Sequence, residues 1–167
     1  MTTETVALSQ PKTRLFFERH AWKILVGVIL LIGFFGISDM VGGAADLQNG
    51  ETILMHSLTG KSWADLRTED PEAAHLIEWK FRTDGASLLT IALLDLAICL
   101  AGFRRGERWA WVALWTPSIW MLLTVFITLN SIQHPGFGIP VPIISGSILL
   151  VIQTLCLAMT FRKFFPK

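Results

Sequence analysis

The chain has 167 residues, of which 52% are hydrophobic and 16% charged, well under the quarter or so that soluble domains carry, so composition points to an integral membrane protein. A net charge of +1, with Lys and Arg confined to short flanks and one loop, excludes a concentrated basic face of the kind that binds nucleic acid. Cys99 and Cys156 both fall within apolar runs, which excludes a disulfide scaffold, a redox CxxC pair and a zinc knuckle.

A membrane-crossing helix needs about 20 apolar residues, and the chain offers four candidates at about 21–41, 85–103, 109–129 and 139–161. Residues 1–20 form a segment ahead of them, 42–84 a large first loop, and 163–167 a short tail. Span one has a short uncharged core and relies on Lys23 snorkelling and Trp22 at the interface. Gly43-Ala-Ala45 also resembles a signal-peptide cleavage site. The basic flank is long for that reading, and losing span one would strand the acidic loop after it.

That loop carries helix signals of its own. Ser62-Trp-Ala-Asp65 fits a capped turn in which Asp stands where a capping box usually has Glu. Asp70-Pro71 supplies an N-cap followed by proline at the first helical position, so span two is expected to finish a long helix that starts outside the bilayer. Trp63, Trp79 and Phe81 are expected to pack the loop or to touch the membrane surface or a partner. Glu72-x-x-His75 has di-iron spacing, but one copy without further carboxylates does not make a metal site, and the other outer histidines, His56 and His134, sit in separate loops.

Span two contains one acid, Asp95, nine positions before Arg104; Gln153 stands nine positions before Arg162 in span four, and Thr116 beside Pro117 lies at matching depth in span three. Equal counts predict a midplane polar layer of Asp95, Gln153 and Thr116, with a carbonyl freed near Ala113 by Pro117 as a further acceptor and Gly33 allowing close approach. Such a layer serves either as an interhelical hydrogen-bond clamp or in proton coupling or ligand binding. Ser87, Thr90, Thr124, Ser145 and Ser147 bring hydroxyls to the outer halves of the spans, where they either line an outward cavity or bond carbonyls one turn back. The segment from Trp109 through Phe161 has no charged residue, and Pro and Gly between Asn130 and Pro142 divide it into a hairpin.

Ten basic residues, Lys12, Arg14, Arg19, Lys23, Arg104, Arg105, Arg108, Arg162, Lys163 and Lys167, fall on one side of this layout; only Lys61, Arg67, Lys80 and Arg82 fall on the other. Positive charge stays inside, so both termini are expected in the cytoplasm of an inner membrane. In the turn between spans two and three, Arg104, Arg105 and Arg108 are expected to face anionic headgroups, with Glu107 pairing one of them, Gly106 allowing the turn, and Trp109 and Trp111 in the interfacial belt.

The segment Gly102-Phe-Arg-Arg-Gly-Glu-Arg-Trp-Ala-Trp111, with Leu58-Thr-Gly-Lys-Ser-Trp-Ala-Asp-Leu66, resembles small four-helix bacterial integral membrane proteins of uncharacterised function. The resemblance implies an all-α bundle of four transmembrane helices with a partly helical outer loop, and a bacterial source; it implies no activity. The sequence shows no catalytic constellation, metal set or cofactor motif. The expected role is therefore non-enzymatic, through a protein partner or self-association aided by an Ala97-x-x-x-Ala101 seam. The alternative is a small carrier or receptor for a lipophilic molecule, centred on Asp95.

Overall fold

The computed structural model describes residues 12–43, 52–134 and 141–166. The first eleven residues, the loop at 44–51, the Pro/Gly turn at 135–140 and Lys167 lie outside the described residues. Everything regular within them is helical: α1 (Lys12–Gly42), α2 (Thr52–Thr59), α3 (Trp63–Glu69), α4 (Pro71–Ile98), α5 (Arg108–Ala113), α6 (Trp115–Ser131) and α7 (Val141–Phe164). Four stretches are long and apolar enough to cross a membrane, namely Arg19–Gly42, Pro71–Phe103, Arg108–Ser131 and Ile143–Phe164. The chain is a polytopic all-α membrane protein. Residues such as Phe34, Leu93, Leu122, Phe126 and Ile148 stand exposed on the outside of the helices, as expected for surfaces solvated by lipid tails.

Span one is the centre of the assembly. It lies between α4 and α7, its contact with α4 being the most extensive in the molecule, and α7 in turn lies between α1 and α6. Spans two and three meet mainly where the turn between them brings a π-helical segment (Cys99–Phe103) against α5. The reason for the close α1–α4 pairing is the absence of side chains at Gly36 and Gly85. A Cβ on Gly36 would stand 2.8 Å from the Gly85 carbonyl oxygen, and one on Gly85 would stand 2.6 Å from the Met40 nitrogen. Lipid supplies little hydrophobic drive between helices, so backbone approach of this kind is what packing in a membrane depends on. Ala97 and Ala101, the small-residue pair expected to aid self-association, are both exposed on the outside of the bundle.

Span three is one crossing built from two helices. Pro117 has no N–H and its ring crowds the carbonyl one turn back, and the helix breaks at Leu114 and restarts at Trp115. Gly106 completes the turn before it at φ +83°, a conformation that favours glycine.

The outer layer is built by local rules. Ser62 caps α3: its hydroxyl accepts from the Asp65 N–H at 3.1 Å, while the Asp65 carboxylate accepts from the Ser62 N–H at 3.3 Å. The shorter acid therefore closes a capping box. Asp70 caps α4 by accepting from the Ala73 N–H at 3.0 Å, with Pro71 at the first position. Met55, Trp63, Leu66 and Ala74 bury one another beneath these caps, with Ile77 and Phe81 packed alongside. The Ser57 carbonyl accepts the N–H groups of Gln133 and His134, both at 3.0 Å, which ties α2 to the outer end of span three.

Candidate functional site

At mid-depth the buried polar side chains are Asp95, Gln153 and Ser118, each exposing no more than 6% of its surface. They do not form one network. The Gln153 amide donates to the Leu114 carbonyl at 2.9 Å, bridging spans four and three at the break. The helix interruption does supply an acceptor, but it belongs to Leu114 rather than Ala113. Thr116 is exposed, and the hydroxyl that span three buries belongs to Ser118, whose oxygen has no hydrogen-bond partner among the described residues. A count of residues from Arg108 carries no information on the direction in which a side chain points, and successive residues of a helix point to different sides.

The helices of Asp95 and Gln153 each pack more extensively on α1 than on one another, and the Gln153 amide bonds Leu114 rather than Asp95. The face of α4 that carries Asp95 also carries Ala92, against Gly33, and Cys99, whose thiol donates to the Trp22 carbonyl at 3.6 Å. Asp95 thus lies on the side of α4 that packs against α1. No hydrogen bond to its carboxyl is present among the described residues, although burying a polar group unpaired is costly.

Three of the five outer hydroxyls bond within their own helices. Ser87, Thr90 and Thr124 bond the carbonyls of Thr83, Ala86 and Trp120, at 2.9, 2.9 and 3.0 Å, one turn back in their own helices. Ser145 and Ser147 are half-buried, and none of the five lines either of two clefts that open elsewhere on the described surface. One cleft is a narrow apolar groove where spans two and three diverge, with Leu88 and Ile91 on one wall, Pro117 and Trp120 on the other, and Ile32 and Gln153 at its base. The other, of about 230 Å³, opens between α3 and α4 over Trp63 and is edged by Arg67, His75 and Glu78. Glu78 accepts from Arg82 at 2.9 Å. Among the described residues no three His, Cys, Asp or Glu side chains gather as metal ligands.

Basic and aromatic side chains interleave at the opposite membrane edge. Arg108 donates through Nε to the Phe164 carbonyl at 3.1 Å and lies over the Phe165 ring; Trp111 donates to the Leu157 carbonyl at 2.9 Å. Arg104 and Lys23 both approach the Trp22 ring, at 5.0 and 5.7 Å from its centroid. Glu107, expected to pair with an arginine, instead accepts from the Trp109 indole. Sequence reading assigned the arginines to the interface but missed the π-helical turn that aims Arg104, because an extra residue in a helix has no compositional signature.

Outside the membrane, two titrating groups are displaced by their partners. Lys61 is raised above the usual lysine range by its hydrogen bond to Glu69, and Asp65 is lowered below the usual carboxylate range by the Ser62 hydrogen bonds of the capping box. Neither a family model, a curated protein nor a solved structure matches the chain.

Proposed function

We propose that this protein is a non-enzymatic membrane component that acts by association, as an accessory subunit bound to another membrane protein or as a homo-oligomer. The observation that carries the reading is the outer part of α4. The continuous helix Pro71–Phe103 has 33 residues, about 50 Å at 1.5 Å per residue against about 30 Å of hydrocarbon. Counted from Arg104, Leu76 lies about 12 Å and Trp79 about 7 Å beyond the hydrocarbon. One side of this extension is buried on α3, while Leu76 and Trp79 are 62% and 57% exposed on another. Large apolar side chains on a rigid helix beyond the reach of lipid tails suit contact with a protein. The distribution of basic residues supports an inner-membrane orientation with both termini cytoplasmic and this platform outside. The Arg104–Arg108 turn supports kinship with the bacterial four-helix proteins that it resembles.

Native mass spectrometry from a mild detergent tests the reading. The expected result is a dimer or a stoichiometric complex that Leu76→Asp with Trp79→Asp dissociates without changing helicity; a monomer at every concentration and in every mild extraction contradicts it.

The buried Asp95 carboxyl favours a second reading, a carrier or receptor for a lipophilic molecule centred on that residue. A copurifying small molecule lost in Asp95→Asn supports this reading. Unchanged lipid and small-molecule content in the variant argues against it.

A further inference from the structure

At the membrane edge two cations, Lys23 and Arg104, gather at the Trp22 ring. Lys23 and Arg104 are both exposed, both stand over the same indole ring, and neither pairs with a carboxylate among the described residues. The indole quadrupole attracts each of them but does not neutralise either.

The arrangement is built rather than incidental. The Arg104 N–H bonds the Cys99 carbonyl at 2.9 Å, a five-residue step that makes this segment a π turn, and the Cys99 thiol bonds the Trp22 carbonyl at 3.6 Å. A single buried residue therefore holds both the turn that aims Arg104 and the helix that carries Trp22 and Lys23. In an uninterrupted α-helix Arg104 would be rotated by about 100° about the axis. Local π turns of this kind commonly occur where a side chain has been re-aimed for a task. Arg105, one residue on, makes no such contact with a ring.

We infer that Lys23, Arg104 and the Trp22 ring form a binding site for the phosphodiester headgroup of an anionic phospholipid. A phosphodiester neutralises both cations through charge-assisted hydrogen bonds. The exposed Leu100 within the π turn and Leu93 seven residues before it offer the acyl chains an apolar run on one side of the helix. The lipid is favoured over a free anion because the ring that gathers the cations packs against the membrane core of the protein. This site stands apart from the outer platform, and its existence does not depend on the association reading.

Lipid titration of the purified full-length protein in a neutral detergent, read by native mass spectrometry, tests the site. Phosphatidylglycerol is the probe, phosphatidylcholine and inorganic phosphate are the comparison ligands, and Arg105→Gln is the control for surface charge. The expected result is that Lys23→Gln and Arg104→Gln each weaken phosphatidylglycerol binding about fivefold, the loss of one basic contact to an anionic lipid. Arg105→Gln changes it less than about twofold, and phosphatidylcholine binds more weakly than phosphatidylglycerol. Equal weakening by all three variants, or by none, overturns the site. Competition by millimolar inorganic phosphate overturns the lipid assignment.

Discussion

The outer layer and the membrane half of this chain are held together by different means. Outside, α3 and α4 are each started by a side chain that accepts from the backbone, Ser62 and Asp70, and exposed ion pairs such as Lys61–Glu69 and Lys80–Asp84 decorate the surface. Inside, the helices meet through the missing side chains of Gly36 and Gly85, and the cross-helix polar contacts go to backbone carbonyls, from Gln153 to Leu114 and from Cys99 to Trp22. Water competes for polar groups and drives apolar ones together, so the outer layer combines caps with a small core. Lipid does neither, so close backbone packing and satisfied polar groups must carry the membrane half.

The contrast predicts where substitution hurts most. Gly36→Leu or Gly85→Leu forces a large side chain against backbone 2.6–2.8 Å away and is expected to destabilise by about 3 kcal/mol or more, read as lost helicity on thermal unfolding in detergent. Tolerance of both substitutions would show that the glycine contact does not hold α1 to α4.

Next in size is Gln153→Leu, which leaves the Leu114 carbonyl without its donor and should lower stability by about 1 kcal/mol. Asp95→Leu is expected to have the opposite sign, because it replaces a buried carboxyl having no hydrogen bond among the described residues with an apolar group of similar reach. The two effects should add in the double variant, since the Gln153 amide bonds Leu114 rather than Asp95. A coupling well above about 0.5 kcal/mol would mean that they touch.

In the outer layer, Ser62→Ala removes a cap worth about 1 kcal/mol and should raise amide exchange in α3 without altering the spans. The smallest effect is pH-dependent. Asp65 has a lowered pKa in the folded state, so its contribution is present above the ordinary carboxylate pKa and fades as pH falls through the folded value. Lys61 has a raised pKa, so its contribution is present below the ordinary lysine pKa and fades as pH climbs through the folded value. Exchange in α3 should therefore rise at both extremes, and a flat profile would show that these contacts do not hold the helix.

The same contrast explains how much was readable in the sequence. Caps are local, and Ser62, Asp65, Asp70 and Pro71 announced both outer helix starts. Hydrophobic length is also local, and it located the spans. The order of helices around the bundle depends on contacts between residues some fifty positions apart, such as Gly36 with Gly85, and periodicity carries no such information. That is why equal counts from Arg104 and Arg162 do not reveal that the Gln153 amide bonds Leu114. The short α2 escaped notice although Met55 and Leu58, three residues apart, carry a helical repeat. Span three buries Ser118 and exposes Thr116, which a count of depth alone does not distinguish, and the extra residue of the π turn hides the aim of Arg104.

Span one is a fixed centre, with α4 on one side and the hairpin of spans three and four on the other, and the Gln153 amide bonds Leu114 rather than Asp95. Disulfide trapping in native membranes tests that arrangement most directly, in a background where Cys99 and Cys156 are replaced by Ala. A Cβ on Gly33 stands 3.4 Å from that of Ala92, within the reach of a disulfide. Gly33→Cys with Ala92→Cys is therefore predicted to cross-link rapidly under mild oxidation, whereas Asp95→Cys with Gln153→Cys is predicted to remain reduced. Cross-linking of the second pair, with the first left reduced, would contradict the arrangement.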